Sequence, residues 1–283
     1  MTTAAQFTDP VAYHAEGPVW SASWGGLRFV DLFAGDILSI HADSEISRRH
    51  VGTVAAALRP RINGGAVIAV ERGFVLEDST GELHVLPEVW TDDTLRMNDG
   101  GCDPDGRFYC GTIAYDQAPG RASLYRLDAD GTVSLEFGGS TISNGLGWSP
   151  DGSIAYYVDT PTQRIDIFDY AKDTGLTSRR RFVEIPEGDG SPDGLTVDAE
   201  GGVWVALYGG SAVHRYRPDG VLDGVVELPV TKVTACTFGG ADLDQLFITT
   251  SREHLADGIQ PAAGSIFTTT PGVMGLPAAP FVG

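Results

Sequence analysis

A tight turn followed by a short strand rich in aromatic and β-branched residues recurs six times along this chain. Each copy is followed by an alternating strand that ends in a polar turn, and no segment carries a helical period of useful length. Together these observations predict an all-β fold, a β-propeller of six blades. The first unit reads Trp24-Gly-Gly-Leu-Arg-Phe-Val-Asp, then Asn63-Gly-Gly-Ala-Val-Ile-Ala-Val, Pro104-Asp-Gly-Arg-Phe-Tyr-Cys-Gly-Thr and Pro150-Asp-Gly-Ser-Ile-Ala-Tyr-Tyr-Val-Asp. Ala199-Glu-Gly-Gly-Val-Trp-Val-Ala-Leu is the fifth copy and Ala241-Asp-Leu-Asp-Gln-Leu-Phe-Ile-Thr a weaker sixth.

The second unit appears as Asp36-Ile-Leu-Ser-Ile-His, Ser123-Leu-Tyr-Arg-Leu-Asp, Arg164-Ile-Asp-Ile-Phe-Asp, Ala212-Val-His-Arg-Tyr-Arg and Ser265-Ile-Phe-Thr-Thr. The strand around Glu82-Leu-His-Val-Leu completes six. Alternation at period two gives each strand one packed face. Asp-Gly pairs at Asp105, Asp130, Asp151 and Asp219 punctuate these strands. They suit type I′ hairpin turns, whose central residues both need positive φ. A double sandwich is the competing all-β architecture, but it predicts no regular period. With no linker-like or low-complexity stretch, residues 1–283 are expected to form one propeller domain. A closing strand is expected near Gln6–Tyr13, paired into the last blade.

Composition narrows the function. The 283 residues are 42% hydrophobic and 20% charged, and 37 are glycine, which suits an ordered, turn-rich chain. A chain of this length buries roughly 75% of its unfolded surface and needs no staples. The net charge of −19 disfavours nucleic acid and anionic membrane surfaces, both of which require clustered Lys and Arg. Most of that charge reads as solvated surface, and some carboxylates are placed to attract a cation. Cys102, Cys110 and Cys236 form neither a disulfide framework nor a metal knuckle. The N-terminal residues lack the basic start and apolar core of a signal peptide, and no apolar run reaches a membrane span. The expected location is the cytoplasm, and the oligomeric state is not written in the sequence.

In a propeller the innermost strand of each blade lines a central channel. Glu16, Asn98, Asn144 and Asp193 each precede a repeat by a few residues, so four blades can aim them at one place. Taken singly, Glu16 before Gly-Pro, Asn144 before Gly and Asp193 before Gly each read first as turn residues and only second as ligands. The apolar flanks of Ile142-Ser-Asn-Gly-Leu-Gly-Trp suggest a buried amide that needs a partner. Two carboxylates and an amide oxygen make a small hard-oxygen site suited to Ca²⁺, Mg²⁺ or Mn²⁺, with Zn²⁺ and Fe²⁺ also compatible. The fold then becomes a propeller with a central metal-binding channel, and three protein ligands leave room for water and substrate.

Arg96 and Asn98 alternate on one strand-like segment and so share a face. Their donors and acceptor suit a polyhydroxylated ligand, or else a salt bridge and a cap. Asp116 offers an acceptor at the channel mouth, or is a solvated loop acid. Other chemistry finds no support. Gly145-Leu-Gly147 is followed by Pro150 where a dinucleotide fingerprint needs its third glycine. There is no nucleophile elbow, HExxH or P-loop. The cysteines and the six histidines read as structural.

At these residues the chain resembles the regucalcin (senescence marker protein)/gluconolactonase/luciferin-regenerating family. The matching stretches are Glu16-Gly-Pro-Val-Trp, Arg96-Met-Asn-Asp-Gly, Asp103-Pro-Asp-Gly-Arg-Phe, Ser143-Asn-Gly-Leu-Gly-Trp-Ser, Asp193-Gly-Leu-Thr-Val-Asp-Ala-Glu-Gly, Phe238-Gly-Gly and Ala263-Gly-Ser-Ile-Phe. Each is weak alone; their order over nearly the full length is specific. The resemblance implies a six-bladed propeller with one divalent ion, calcium first among the candidates. It implies Glu16, Asn144 and Asp193 as metal ligands and Asp193 as general base. It implies Arg96, Asn98 and Asp116 as substrate contacts, although many relatives carry Glu where Asp116 stands, one methylene longer.

The activity implied is metal-dependent hydrolysis of sugar lactones, in which the ion polarises the carbonyl and Asp193 takes a proton from the attacking water. The alternatives are a phosphotriesterase-like or non-sugar lactone hydrolase, and a non-catalytic calcium-binding propeller. WD-type scaffolds carry Gly-His and Trp-Asp dipeptides, and neither occurs here.

Overall fold

Each turn-plus-strand copy becomes the second strand of an antiparallel sheet, and six sheets, five of four strands and one with a fifth strand added at its edge, form the blades of a propeller. The computed structural model describes residues 2–41 and 45–283. The innermost strands are Ala15–Ser21, Ala55–Pro60, Leu95–Cys102, Ser143–Trp148, Ser191–Val197 and Val233–Gly239, in blades 1 to 6. Each neighbours the inner strand of the next blade, and the sixth returns to the first, so the ring closes. No α-helix occurs among the described residues; the helical elements are four 3₁₀ turns of three residues each.

Apolar side chains fill the spaces between blades. Aromatic pairs bridge several of these joints: Phe74 with Phe108 at 5.9 Å, Tyr109 with Trp148 at 5.7 Å, Trp204 with Phe238 at 5.7 Å, and Trp20 with Phe247 at 5.8 Å. Such pairs contribute about 0.5–1.5 kcal/mol each beyond the area they bury. Cys102, Cys110 and Cys236 are buried free thiols, and burial pushes all three well above the usual thiol range.

Three sequence expectations are corrected. The closing strand is Ala5–Gln6, paired antiparallel with Phe267–Thr269 as the outer strand of blade 6, rather than Gln6–Tyr13. Beyond it the ladder stops and scattered bonds continue, from Phe7 N and Thr8 N to Ile266 O and from Val11 N and Ala12 N to Gly264 O. Pro10 has no N–H to offer a ladder. Thr2–Thr3 also pairs, in parallel, with Leu222–Glu227, so the N-terminus ties blade 5 to blade 6.

In blade 2 the third strand is Phe74–Glu77, and Leu83–Val85 of the Glu82 segment is the outer strand. The short Glu71-Arg72-Gly73 link makes that third strand read as a continuation of the apolar run before it. The Asp-Gly turns are not type I′. Gly106, Gly131, Gly152 and Gly220 have φ of +79°, +85°, +71° and +82°, whereas the aspartates before them do not share positive φ. Each glycine N–H donates to the carbonyl three residues back, at 2.8–3.0 Å. This is the longer loop in which a type I turn ends on a left-handed glycine.

Buried aspartates anchor the strand ends. Asp31 accepts backbone N–H bonds from Tyr13 and His14, and Asp159 accepts them from Thr141 and Ile142. Both carboxylates thereby fix the entry to an inner strand, holding His14 and Ile142, two residues before Glu16 and Asn144 respectively. At the other end of blade 5, Asp198 is fully buried and accepts from Glu200 N, Gly202 N, Trp204 Nε1 and Arg215 Nε. Asp198→Ala strands those donors and should cost about 3 kcal/mol, read as a lower denaturant midpoint. An unchanged midpoint would contradict this account of the turn.

Candidate active site

All six inner strands carry a β-bulge near their entry. Pairing with the second strand skips between Glu16 and Val19, Ala55 and Ala57, Met97 and Gly100, Ser143 and Leu146, Pro192 and Leu195, and Val233 and Ala235. A bulge re-aims a side chain that a regular pleat would bury in a sheet face. Ala56, Asn98, Asn144, Asp193 and Thr234 lie within the skipped segments, and Glu16 is the last paired residue before its own. The glycines that follow Asn144 and Asp193 therefore belong to strands and not to turns. A Cβ on Gly145 would lie 2.6 Å from Asp193 O, and one on Gly194 would lie 2.5 Å from Ala235 Cβ. Glycine is required there because the next blade's strand approaches so closely.

Glu16, Asn144 and Asp193, each 6% exposed, line one cavity of about 550 Å³ together with Arg96 and Asn98. Arg96 Nη1 donates to Met97 O at 2.9 Å and Asn98 Oδ1 at 2.8 Å, and its guanidinium lies 5.2 Å over the Phe33 ring. Asn98 Nδ2 donates to Ser143 O at 2.9 Å and faces Asn144 Oδ1 at 3.3 Å. Asn144 Nδ2 donates to Thr160 Oγ1 at 2.9 Å, and because Arg96 can only donate, its bond to Asn98 Oδ1 turns Asn98 Nδ2 toward the Asn144 oxygen. Asp116 is placed differently. It is exposed, caps Ala118 N at 3.0 Å, and stays off the cavity wall, which its neighbours Tyr115 and Gln117 line instead.

Electrostatics set this cavity apart from a packed core. Burial, then the charges of Asp193 and Asp99, hold the Glu16 carboxyl well above its ordinary range, against weaker opposing pulls from the Gly17 N–H and the Arg96 charge. Burial, then Asp99, do the same to Asp193, against an opposing pull from the Asn144 amide and Gly194 N–H. The nearest imidazole cannot neutralise them. His14 Nε2 is 3.8 Å from Glu16 Oε1, but burial, with the charges of Arg96, Lys232 and His254, pushes His14 down to about 3. No Lys or Arg forms an ion pair with Glu16 or Asp193 among the described residues. Buried carboxylates that crowd one another without an ion-paired Lys or Arg are placed to receive a cation. The donor set is all oxygen, so the residues fit a divalent ion.

A second acidic group does not compete. Asp78, Glu82 and His84 have ligand atoms within 4.8 Å of one another on the outer edge of blade 2. There Asp78 Oδ1 already accepts from Thr80 N, Thr80 Oγ1 and Glu82 N, so the group is a capped turn.

Residues 14–252 match the family model described as the SMP-30/Gluconolactonase/LRE-like region. The chain belongs to this family. It is 38% identical over 282 residues to regucalcin from Sus scrofa, covering 95% of this chain and 94% of that protein. It is 36% identical over 251 residues to pentonolactonase XacC from Haloferax volcanii, covering 88% and 85%. Among solved structures, a calcium-binding regucalcin from Agrobacterium tumefaciens superposes with a TM-score of 0.92 at 28% identity, covering 99% of this chain and 98% of that one. No helix among the described residues is long and apolar enough to cross a membrane.

Residue by residue, sequence reasoning passed over part of this family member's cavity wall. Tyr208, Lys232 and Glu253 line the side formed by blades 5 and 6. Lys232 Nζ donates to Glu253 O and lies 5.2 Å over the Tyr208 ring, while Tyr208 Oη donates to Glu253 Oε2 at 3.2 Å. One signal was available: the chain has only two lysines, Lys172 and Lys232, so each is an exception to its preference for arginine.

Proposed function

We propose that this protein is a metal-dependent hydrolase of sugar lactones. The observation that carries the reading is the convergence of two buried carboxylates, neither ion-paired to a Lys or Arg among the described residues, and an amide oxygen beside the Arg96–Asn98 pair in one polar cavity. Family membership supports it, since relatives include proteins named as lactonases. The regucalcin described as calcium-binding supports a divalent ion, calcium first.

Glu16, Asn144 and Asp193 would hold that ion. Once bound, it supplies Lewis acidity to the lactone carbonyl and the charge that keeps both carboxylates ionised. The remaining chemistry belongs to the chain. Arg96 and Asn98 orient the substrate through its hydroxyl and carbonyl oxygens. Asp193 takes a proton from the water that attacks the carbonyl carbon. The carbon–ring oxygen bond breaks, and the proton passes to the departing oxygen, giving a hydroxy acid. Phe33, Ile113 and Ile142 add an apolar flank to the same cavity.

A pH-indicator assay across sugar lactones, unsubstituted lactones and phosphotriesters, with and without chelator, tests the reading. Acid release from sugar lactones that chelator abolishes is the expected result. Tight ion binding with no hydrolysis of any substrate would make the protein a binding propeller instead.

A further inference from the structure

We infer that Lys232 and Glu253 form a subsite for the hydroxylated tail of a neutral sugar lactone, opposite the Arg96–Asn98 wall. The inference rests on the lactonase reading and deepens it by naming the substrate class. In a six-membered ring, blade 6 stands across the channel from blade 3. Lys232 precedes the inner strand of blade 6 and Glu253 follows its second strand, whereas Arg96 and Asn98 lie on the inner strand of blade 3. A ligand centred between Glu16, Asn144 and Asp193 therefore has one polar wall on either side.

The two groups are poorly matched by the protein itself. Lys172, the other lysine, pairs with Asp105 at 3.5 Å on the surface. Lys232 forms no ion pair with a carboxylate among the described residues. Its one recorded acceptor is the backbone oxygen of Glu253, and an ammonium has three protons to place. The Glu253 carboxylate meets the Tyr208 hydroxyl and two imidazoles, His14 at 3.6 Å and His254 at 3.5 Å. Its side chain is only 19% exposed and pairs with no Lys or Arg among the described residues.

A cationic donor beside an anionic acceptor matches neighbouring hydroxyls, one accepting from Lys232 and one donating to Glu253. An anionic tail would meet the Glu253 carboxylate, which no Lys or Arg pairs with among the described residues, and be repelled. A tail without hydroxyls would leave both charged groups desolvated and unpaired, the situation that gives hydrogen-bonding sites their discrimination.

The test is calorimetric binding of two unreactive probes to the calcium-loaded protein: a six-membered sugar lactam and the same lactam lacking its tail hydroxyls. Wild type should favour the hydroxylated lactam, and Glu253→Gln and Lys232→Met should each shrink that preference about tenfold or more. Glu253→Gln keeps the side-chain shape and the Lys232 bond to the backbone, so it carries the test alone if Lys232→Met unfolds. Equal losses on both probes, an unchanged preference, or no wild-type binding of the hydroxylated lactam would overturn the subsite. Should the preference shrink as expected while wild type hydrolyses no lactone, the subsite stands and the hydrolase reading falls.

Discussion

Asp193→Ala should lower kcat/KM for a sugar lactone by about 10²–10⁴-fold, the range over which a positioned general base contributes. The residue stands at the bulge of the blade 5 inner strand, where its side chain faces the cavity instead of a sheet face. It is asked to do two things, take a proton and donate an oxygen to an ion, and Ala removes both. Asp193→Asn separates them, because it keeps an oxygen donor and loses the base. If the base matters most, Asn is nearly as inactive as Ala while calcium binding by calorimetry survives. The fold should persist in both variants. In chelator they should melt no lower than wild type, since a buried carboxylate crowded by Asp99 has been removed. Near-wild-type turnover in Asp193→Ala would end the assignment.

Removal of divalent cations should have the second-largest effect, on stability as well as on activity. The carboxyls of Glu16 and Asp193 titrate above their ordinary range in the folded chain. Between the ordinary carboxylate range and those raised values, the folded state binds more protons than the unfolded state. Stability of the metal-free protein therefore falls as pH rises through that window. A divalent ion binds the ionised pair and reverses this loss. Calcium at saturating concentration should raise the melting temperature by about 5 °C or more near neutral pH. The increment should be smaller at about pH 5, where protons compete for the same oxygens. Differential scanning calorimetry with chelator and with calcium at both pH values checks it. A melting temperature indifferent to calcium at neutral pH would remove the ion from this site.

How far the site could be read in advance differs residue by residue. Glu16, Asn144 and Asp193 were legible because each precedes a repeat by a few residues. A ring architecture turns such recurring placements into convergence. Whether they were turn residues was not legible, since Asn-Gly and Asp-Gly look alike in a hairpin and in a bulge. The bulge depends on an adjacent strand approaching within contact of Gly145 and Gly194, which is a fact about neighbouring blades. Asp116 was singled out by residue type, but its short side chain finds a nearer donor in Ala118 N. Lys232 and Glu253 lie 21 residues apart with no shared motif, and only the packing of blades 5 and 6 brings them together with Tyr208.

By itself, then, the chain's pattern determined the six repeats, the alternation of its strands, the family, and which oxygen-bearing residues could meet. Those properties follow from local periodicity and turn chemistry, which act over a few residues. Only the closed ring decided that six inner strands bulge toward one axis, that burial and mutual charge push two carboxyls upward, and that the cavity has a second polar wall. These depend on distances between blades, which no local stretch of sequence specifies.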